Sequence, residues 1–344
     1  MVNHSNVMEP ALPVTRSPRV VFLTGANGFV GSHLAHALIA QGHRVRALVR
    51  PQADRTRVAD LDIEWVKGNL DDHDALRRGC QGAAWVIHAA GRVKAPDLAA
   101  YMRANCTGTA NLVEALLDAA PGLERLVYVS SLAAGGPTRT GQPRTEDDPD
   151  APLTPYGKSK LAGEQAVMAH ADRLPVVSIR PPAVYGPGDT EILGFFKAVR
   201  WHIKPVFGHR PQRLSLVHVG DLVQGILAAC QSPAAPGEAF YIAEDRHYTL
   251  TELENHIQTA LETWAMRVRI PRVLLMSIAW CARLVGSIGG FTPSLNPDKA
   301  RDFLESDWTC STAKAGRSLG YRSQIPFARG AQETVIWYRQ KGWL

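Results

Sequence analysis

Between residues 19 and 184 the chain alternates short apolar runs, rich in β-branched residues, with longer stretches whose apolar positions recur every three or four residues. The short runs at 20–23, 44–49, 63–67, 84–89, 126–130 and 176–179 predict strands. The periodic stretches at 32–41, 72–78, 98–120 and 156–171 predict helices. Strands that alternate with helices are joined by crossovers, and crossovers lay helices on both faces of a parallel sheet. The expected fold class is therefore α/β, with a doubly wound parallel sheet.

Past Pro187 the regularity weakens. Helical periodicity at 191–199 precedes a turn at Gly208, a β-rich run at 214–219, a helix at 222–230 and one more strand at 239–242. Further helices are predicted at 249–263, 271–286, 313–319 and 327–341. The organisation that follows is a loose tail at 1–17 and a sheet domain at 18–184, to which 217–244 returns. A smaller, mostly helical domain is expected from 185–216 and 245–344. The loop at 135–155, crowded with Gly, Pro, Asp and Thr, stands before the helix at 156–171, and long loops beside a rigid scaffold often carry function.

Composition changes this picture little. Of 344 residues, 45% are hydrophobic and 20% charged, which suits a sizeable core. The net charge of +6 comes from 38 basic and 32 acidic residues, with the basic ones scattered, so a nucleic-acid partner is not expected. Cys80, Cys106, Cys230, Cys281 and Cys310 are far apart and lack metal-ligand spacing, so neither a disulfide framework nor a metal site is expected, and a cytoplasmic setting is. The first seventeen residues lack the apolar centre of a signal peptide. The apolar run at 273–291 is broken by Arg283, too early for a spanning helix. It reads as a buried or substrate-capping helix, with contact to a membrane surface as the alternative.

Candidate chemistry begins at Thr24-Gly25-Ala26-Asn27-Gly28-Phe29-Val30-Gly31, between the first strand and the first helix. Gly25 permits a tight turn, Gly28 lets backbone approach a pyrophosphate, and Gly31 lets the helix pack close while its N-terminus faces the anion. Tyr156 and Lys160, four residues apart, share one helix face. Ser131 follows the strand at 126–130, at the carboxyl end where open α/β sheets bind ligands. A hydroxyl, a phenol and an ammonium in one cleft suit carbonyl and alcohol chemistry. Tyrosine is a weak acid near neutrality, and an adjacent ammonium favours its phenolate.

These residues have company: His88-Ala89-Ala90-Gly91, Asn105 in Asn-Cys-Thr-Gly-Thr-Ala-Asn, Arg180-Pro-Pro-Ala-Val-Tyr-Gly-Pro-Gly-Asp189, and Val217-His-Val-Gly-Asp221. With them the chain resembles, over nearly its whole length, the extended short-chain dehydrogenase/reductase family, also called the NAD-dependent epimerase/dehydratase family. The resemblance implies a Rossmann-type domain. It makes Ser131 a hydrogen-bonding partner of the reacting oxygen, Tyr156 its proton donor or acceptor, and Lys160 the holder of the nicotinamide ribose, supported by Asn105. It places the cofactor against Gly25, Asn27, Gly28, Phe29, Val30 and Gly31, with Asn69 and Leu70 near the adenine. Ala89, Ala90 and Gly91 would line the cleft, and Pro181, Ala183 and Val184 would lie near the nicotinamide. His88 is expected to be packed under the sheet, His218 and Asp221 to be hinge and capping residues. A homodimer pairing the helices at 98–120 and 156–171 is also implied.

An acidic residue some twenty positions after the glycine turn would bind a ribose 2′-hydroxyl, whereas arginine accommodates a 2′-phosphate. Here the strand ends Ala47-Leu48-Val49-Arg50, with Arg46, Arg55 and Arg57 nearby, so NADP(H) is expected over NAD(H), with Arg50 on the phosphate. Nucleotide-sugar members of the family carry Asn and Arg where this chain has Ala183 and Leu214; Arg213, one place away, is a possible substitute. Leu132-Ala133 after Ser131 disfavours dehydration. Phe195, Phe196, Trp201, Phe207 and Trp280 offer an apolar lining, and Ser131, Phe195 and Arg213 are the expected substrate contacts. The chain thus resembles the 3β-hydroxysteroid dehydrogenase, dihydroflavonol reductase and 3-ketoalkanoate reductase branches. The expected reaction is hydride transfer between nicotinamide and a secondary alcohol or ketone of a bulky apolar molecule. A nucleotide-sugar epimerase is the alternative, and a cofactor-sensing protein a lesser one.

Overall fold

A computed structural model describes residues 18–138, 141–207, 212–289, 293, 297–304 and 307–344. The expected tail at 1–17, the turn at Gly208 and the end of the 273–291 run lie outside the described residues. The first half contains β1 (Val20–Thr24), α1 (Phe29–Ala40), β2 (Arg44–Val49), β3 (Ile63–Lys67), α2 (His73–Cys80), β4 (Trp85–His88), α3 (Leu98–Met102), α4 (Gly108–Ala119), β5 (Arg125–Val129), α5 (Leu132–Gly135), α6 (Pro155–Met168) and β6 (Val176–Arg180). There follow β7 (Ala183–Tyr185), α7 (Leu193–Arg200), β8 (Ile203–Phe207), β9 (Arg213–Leu214), β10 (Leu216–His218), α8 (Val219–Gln231) and β11 (Glu238–Tyr241). The chain ends with β12 (Tyr248–Thr249), α9 (Leu250–Leu261), β13 (Met266–Ile270), α10 (Arg272–Gly289), α11 (Pro297–Leu304), β14 (Asp307–Trp308), α12 (Ala313–Leu319) and α13 (Phe327–Gln340).

Seven strands form one parallel sheet in the order β3-β2-β1-β4-β5-β6-β11. Every residue of β4 and β6 is buried, as central strands covered on both faces require. One apolar layer joins the sheet to α1 and α8 through Leu34, Leu38, Leu222 and Ile226; the opposite layer joins it to α2, α4 and α6 through Leu76, Leu112, Leu116 and Val167. The strand order reverses between β1 and β4, so a crevice opens at their carboxyl ends. A third core, built from Tyr185, Phe196, Tyr248, Ile257, Phe327 and Tyr338, holds α7, α9 and α13 together.

Three expectations need correction. The helix at 98–120 is interrupted by a π-helical turn, Arg103–Thr107; one wider turn inside a helix leaves no mark on apolar periodicity. The run at 214–219 divides: β9 joins β12 and β14, whereas β10 pairs with β7, and it is β11 that extends the main sheet. The strand pair β8–β13 has no counterpart in the sequence reading; β13 alternates apolar and arginine residues but over only five positions, and it is exposed along most of its length.

Candidate active site

The glycine turn is built by close approach. Gly25 has φ +79°, and a Cβ there would lie within 2.9 Å of the Ala89–Ala90 backbone. A Cβ on Gly31 would stand 1.9 Å from the Gly25 carbonyl oxygen, so α1 is pressed end-on against the turn. Gly28 is the N-cap of α1, no side chain caps it, and the first turn carries no acidic residue. The helix therefore presents amide donors and its positive end for an anion. These features fit a dinucleotide pyrophosphate.

His88, at the end of β4, ties this turn to the rest of the site. The Ala90 N–H donates to Thr24 Oγ1 at 3.2 Å, and Thr24 Oγ1 lies 2.6 Å from His88 Nδ1. On the other side His88 Nε2 lies 3.0 Å from Thr109 Oγ1, which donates to the Asn105 carbonyl at 2.8 Å. A neutral ring with its proton on Nε2 satisfies this whole chain of donors. Burial lowers the His88 pKa to about 3, consistent with the packed role expected of it.

Asn105 sits in the π-helical turn. Its Oδ1 accepts from the Arg92 N–H at 2.7 Å, and its Nδ2 donates to the Arg92 carbonyl at 3.0 Å and to Ser159 Oγ at 2.9 Å. Ser159 in turn donates to the Tyr156 carbonyl at 2.7 Å. Asn105 thus pins the strand-end loop against the first turn of α6. Gly163 permits the approach, since a Cβ there would meet the Asn105 carbonyl oxygen at 2.1 Å. A Cβ on Gly91 would lie 3.1 Å from Asn105 Oδ1 and 3.8 Å from Lys160 Nζ, so these three residues share one wall.

Lys160 is buried. Its Nζ donates to the Val129 carbonyl at 2.7 Å and lies 4.3 Å from the centre of the Tyr128 ring. Burial lowers its pKa to about 7, against an opposing pull from Glu164. Tyr156 is the second residue of α6, behind the Thr154 cap and Pro155, and its ring lies 6.0 Å from that of Tyr101. Ser131 caps α5, with Oγ accepting from the Ala133 N–H at 3.1 Å; its own hydroxyl proton is left for another acceptor. A Cβ on Gly157 would stand 2.3 Å from the Ala133 carbonyl oxygen, so the start of α6 lies against the turn that begins at Ser131. Ser131, Tyr156 and Lys160 are gathered at the carboxyl end of β5.

Other expected positions scatter around this centre. Asn27 donates to the Asp54 carbonyl at 3.0 Å, and Arg50 is exposed just after β2. Asn69 Oδ1 accepts from the Asp71 N–H at 2.7 Å, and the Leu70 carbonyl accepts from Asn111 at 2.8 Å, at the carboxyl end of β3. Pro181 receives the Leu132 N–H on its carbonyl at 2.8 Å; Ala183 is exposed and Val184 half-buried in β7. His218 Nδ1 accepts from the Gly220 N–H at the start of α8, and Asp221 accepts from the Gln324 and Ile325 N–H groups.

Two groups depart from the sequence reading. Arg46 does not add charge to the cofactor end: its guanidinium binds Glu64 and the carbonyls of Arg78, Gly79 and Gln81. Arg55 lies over the Trp65 ring at 5.3 Å, while Arg57 reaches the Gly188 carbonyl at 2.9 Å. Of the apolar lining, Phe196 is fully buried in the C-terminal core and Phe207 packs with Leu275 and Ala279, whereas Trp201 and Trp280 are exposed. Phe195 is partly buried between those two cores. Arg213 makes a bidentate ion pair with Asp307 at 2.8 and 2.9 Å and donates to the Gly141 carbonyl.

The sequence reading missed a buried charge network. Arg180 donates to both oxygens of Glu164 at 2.6–3.0 Å and to Asp150 at 2.8 and 3.0 Å. The signal was available: Tyr156, Lys160 and Glu164 recur every four residues on one face of α6.

Comparison with known proteins places this geometry. A ceramide reductase from Caulobacter vibrioides is 35% identical over 94% of this chain and 96% of its own. A 3β-hydroxysteroid dehydrogenase/Δ5→4-isomerase from Mycobacterium tuberculosis is 29% identical over 92% of this chain and 90% of its own. The crystal structure of gox2253 superimposes with a TM-score of 0.79 at 29% identity, covering 94% of this chain and 99% of that one. The model of the NAD dependent epimerase/dehydratase family matches residues 21–243. The chain belongs to this family and is a nicotinamide-dependent oxidoreductase of the extended short-chain dehydrogenase/reductase type.

Proposed function

We propose that the chain is an NADP(H)-preferring reductase or dehydrogenase for a secondary alcohol or ketone of a bulky, largely apolar, lipid-like molecule. The observation that carries this reading is the engagement of Arg213 by Asp307: the arginine expected to stand in at the nucleotide-diphosphate position is already bidentately paired. Ala183 and Leu214 supply no polar side chain beside it. The names of the relatives, a ceramide reductase and a steroid dehydrogenase, point the same way. The preference for NADP(H) rests on Arg50, exposed at the end of β2 where no acidic residue stands.

When bound, the nicotinamide supplies or accepts the hydride. The glycine turn and the start of α1 would hold the pyrophosphate, Arg50 the 2′-phosphate, and Lys160 the ribose next to the nicotinamide. Tyr156 exchanges its phenol proton with the substrate oxygen, and Ser131 donates a hydrogen bond to the same oxygen. Lys160, when protonated, favours the tyrosine phenolate. Asn105 acts through the Arg92 loop and Ser159, fixing the first turn of α6 and so the direction of Tyr156. The proposal includes a homodimer paired through the helical stretch 98–120, which spans α3 and α4, and through α6, and a cytoplasmic setting in which the five free thiols stay reduced.

A nucleotide-sugar epimerase is the second reading, favoured by the 41% exposure that the Arg213 side chain keeps within its ion pair. The test is oxidation of NADPH and NADH by the purified protein against long-chain ketones, steroids and β-keto acids, with UDP- and dTDP-sugars assayed for epimerisation. Turnover of an apolar ketone with NADPH ahead of NADH is expected. Turnover of nucleotide sugars alone would overturn the proposal.

A further inference from the structure

The helix α10 lies against the second domain along a narrow line, Leu275, Ala279 and Gly286, with Ala282 half-buried beside it. The rest of its surface is largely apolar and open, with Ser277 and Cys281 also exposed on it. Val273, Leu274, Ile278, Trp280 and Val285 are between 46% and 77% exposed there. The strand β13, joined to α10 through Pro271, adds exposed Met266 and Val268. Apolar side chains in such number on one helix are not the surface of a helix that faces water. No helix among the described residues is long and apolar enough to cross a membrane.

The charge carried by this segment itself has one sign. Residues 266–290 contain Arg267, Arg269, Arg272 and Arg283 and no aspartate or glutamate. The Arg283 guanidinium lies over the Trp280 ring at 5.4 Å, at the margin of the apolar surface. An apolar stripe with an interfacial tryptophan and flanking arginines is the composition of helices that lie in the plane of a bilayer, with cations at the headgroups. We propose that α10 and β13 dock this protein on an anionic lipid surface. The proposal uses no residue of the Ser131–Tyr156–Lys160 centre and stands whatever the substrate.

The test is co-sedimentation of the full chain with vesicles of mixed phosphatidylglycerol and phosphatidylcholine, and with vesicles of phosphatidylcholine alone. Binding to the anionic vesicles, weakened by salt, is expected. Each arginine near such a surface contributes roughly fivefold, so Arg272→Ala with Arg283→Ala should weaken partitioning roughly thirtyfold. Trp280→Gln with Val285→Gln should remove binding to either vesicle, and both positions are exposed, so the melting temperature should be unchanged. Brominated acyl chains should quench tryptophan fluorescence in the wild type and less in Trp280→Phe, which keeps the binding. Equal recovery in the supernatant with both vesicles would overturn the proposal, as would undiminished binding by Trp280→Gln with Val285→Gln. A dimer that this double variant dissolves, without vesicle binding by the wild type, would assign the face to a second copy instead.

Discussion

Lys160→Met removes the ammonium from the centre of the site while keeping the length of the stem, and its effect on stability should depend on pH in a defined direction. Burial lowers the pKa of Lys160 from 10.5 to about 7. Between about pH 7 and about pH 10 the unfolded chain therefore binds one proton more than the folded one at this residue, and stability rises with pH. The penalty of the buried charge is fully present below the folded pKa and is relieved as pH climbs toward the unfolded value. Integrating across the interval from about pH 7 to about pH 9, the wild type should gain roughly 2 kcal/mol relative to the variant. Methionine also leaves the Val129 carbonyl without its donor, a cost of about 1–3 kcal/mol that does not vary with pH. Urea unfolding of both proteins at fixed ionic strength separates the two effects, because only the first changes the difference between the curves. Activity should be lost in the variant at every pH. Stability differences that stay parallel across the range would refute the buried, depressed lysine.

Tyr156→Phe should bind NADPH as the wild type does and lose turnover by roughly a hundredfold or more, read by fluorescence titration beside steady-state rates; near-normal turnover would remove Tyr156 from the proton transfer. Arg50→Ala should raise the KM for NADPH by roughly tenfold and leave that for NADH nearly unchanged. Equal effects on both cofactors would end its assignment to the 2′-phosphate. In Gly31→Ala the new methyl would stand 1.9 Å from the Gly25 carbonyl oxygen, so a loss of about 1–3 kcal/mol in unfolding free energy and weaker cofactor binding are expected. Glu164→Ala should cost roughly 3–5 kcal/mol in urea unfolding, since it leaves the buried Arg180 with Asp150 as its one bonded carboxylate. A loss below about 1 kcal/mol would mean that Asp150 suffices.

The sheet was legible because its central strands are buried on both faces and so read as mostly apolar runs between periodic helices. The glycine turn was legible for a different reason: only residues without Cβ allow α1, the turn and the Ala89–Ala90 backbone to touch. What stayed hidden depends on distant partners. Nothing in the sequence near Arg46 marks it as bound to the carbonyl end of α2 rather than free beside a cofactor. The aromatic residues past Pro187 looked alike in sequence, yet Phe196 fills a core and Trp201 is exposed to solvent, because α7 turns one face inward and ends at Arg200, just before Trp201. The two- and three-residue strands β7, β9, β10, β12 and β14 are too short to show any period.

Those short strands explain why the loop before α6 can be long and still deliver Tyr156 to one place. Thr138 donates its N–H to the Asp307 carbonyl and its hydroxyl to the Thr309 carbonyl, both at 2.9 Å. Arg144 exchanges backbone hydrogen bonds with Thr309 and Ser311, and its guanidinium holds the carbonyls of Asp148 and Pro149. The next residue, Asp150, is bound by Arg180 at the end of β6, and Thr154 then caps α6. Each end of the loop is thus fixed by a different element: β14 and the residues after it at one, β6 of the central sheet at the other. Arg213 belongs to this frame, since it clamps Asp307 of β14 and donates to the Gly141 carbonyl within the loop itself. A ligand that drew Arg213 away from Asp307 would loosen the support of Tyr156. A substrate held by apolar contact alone leaves the frame closed, which supports the proposed apolar ketone over a nucleotide diphosphate.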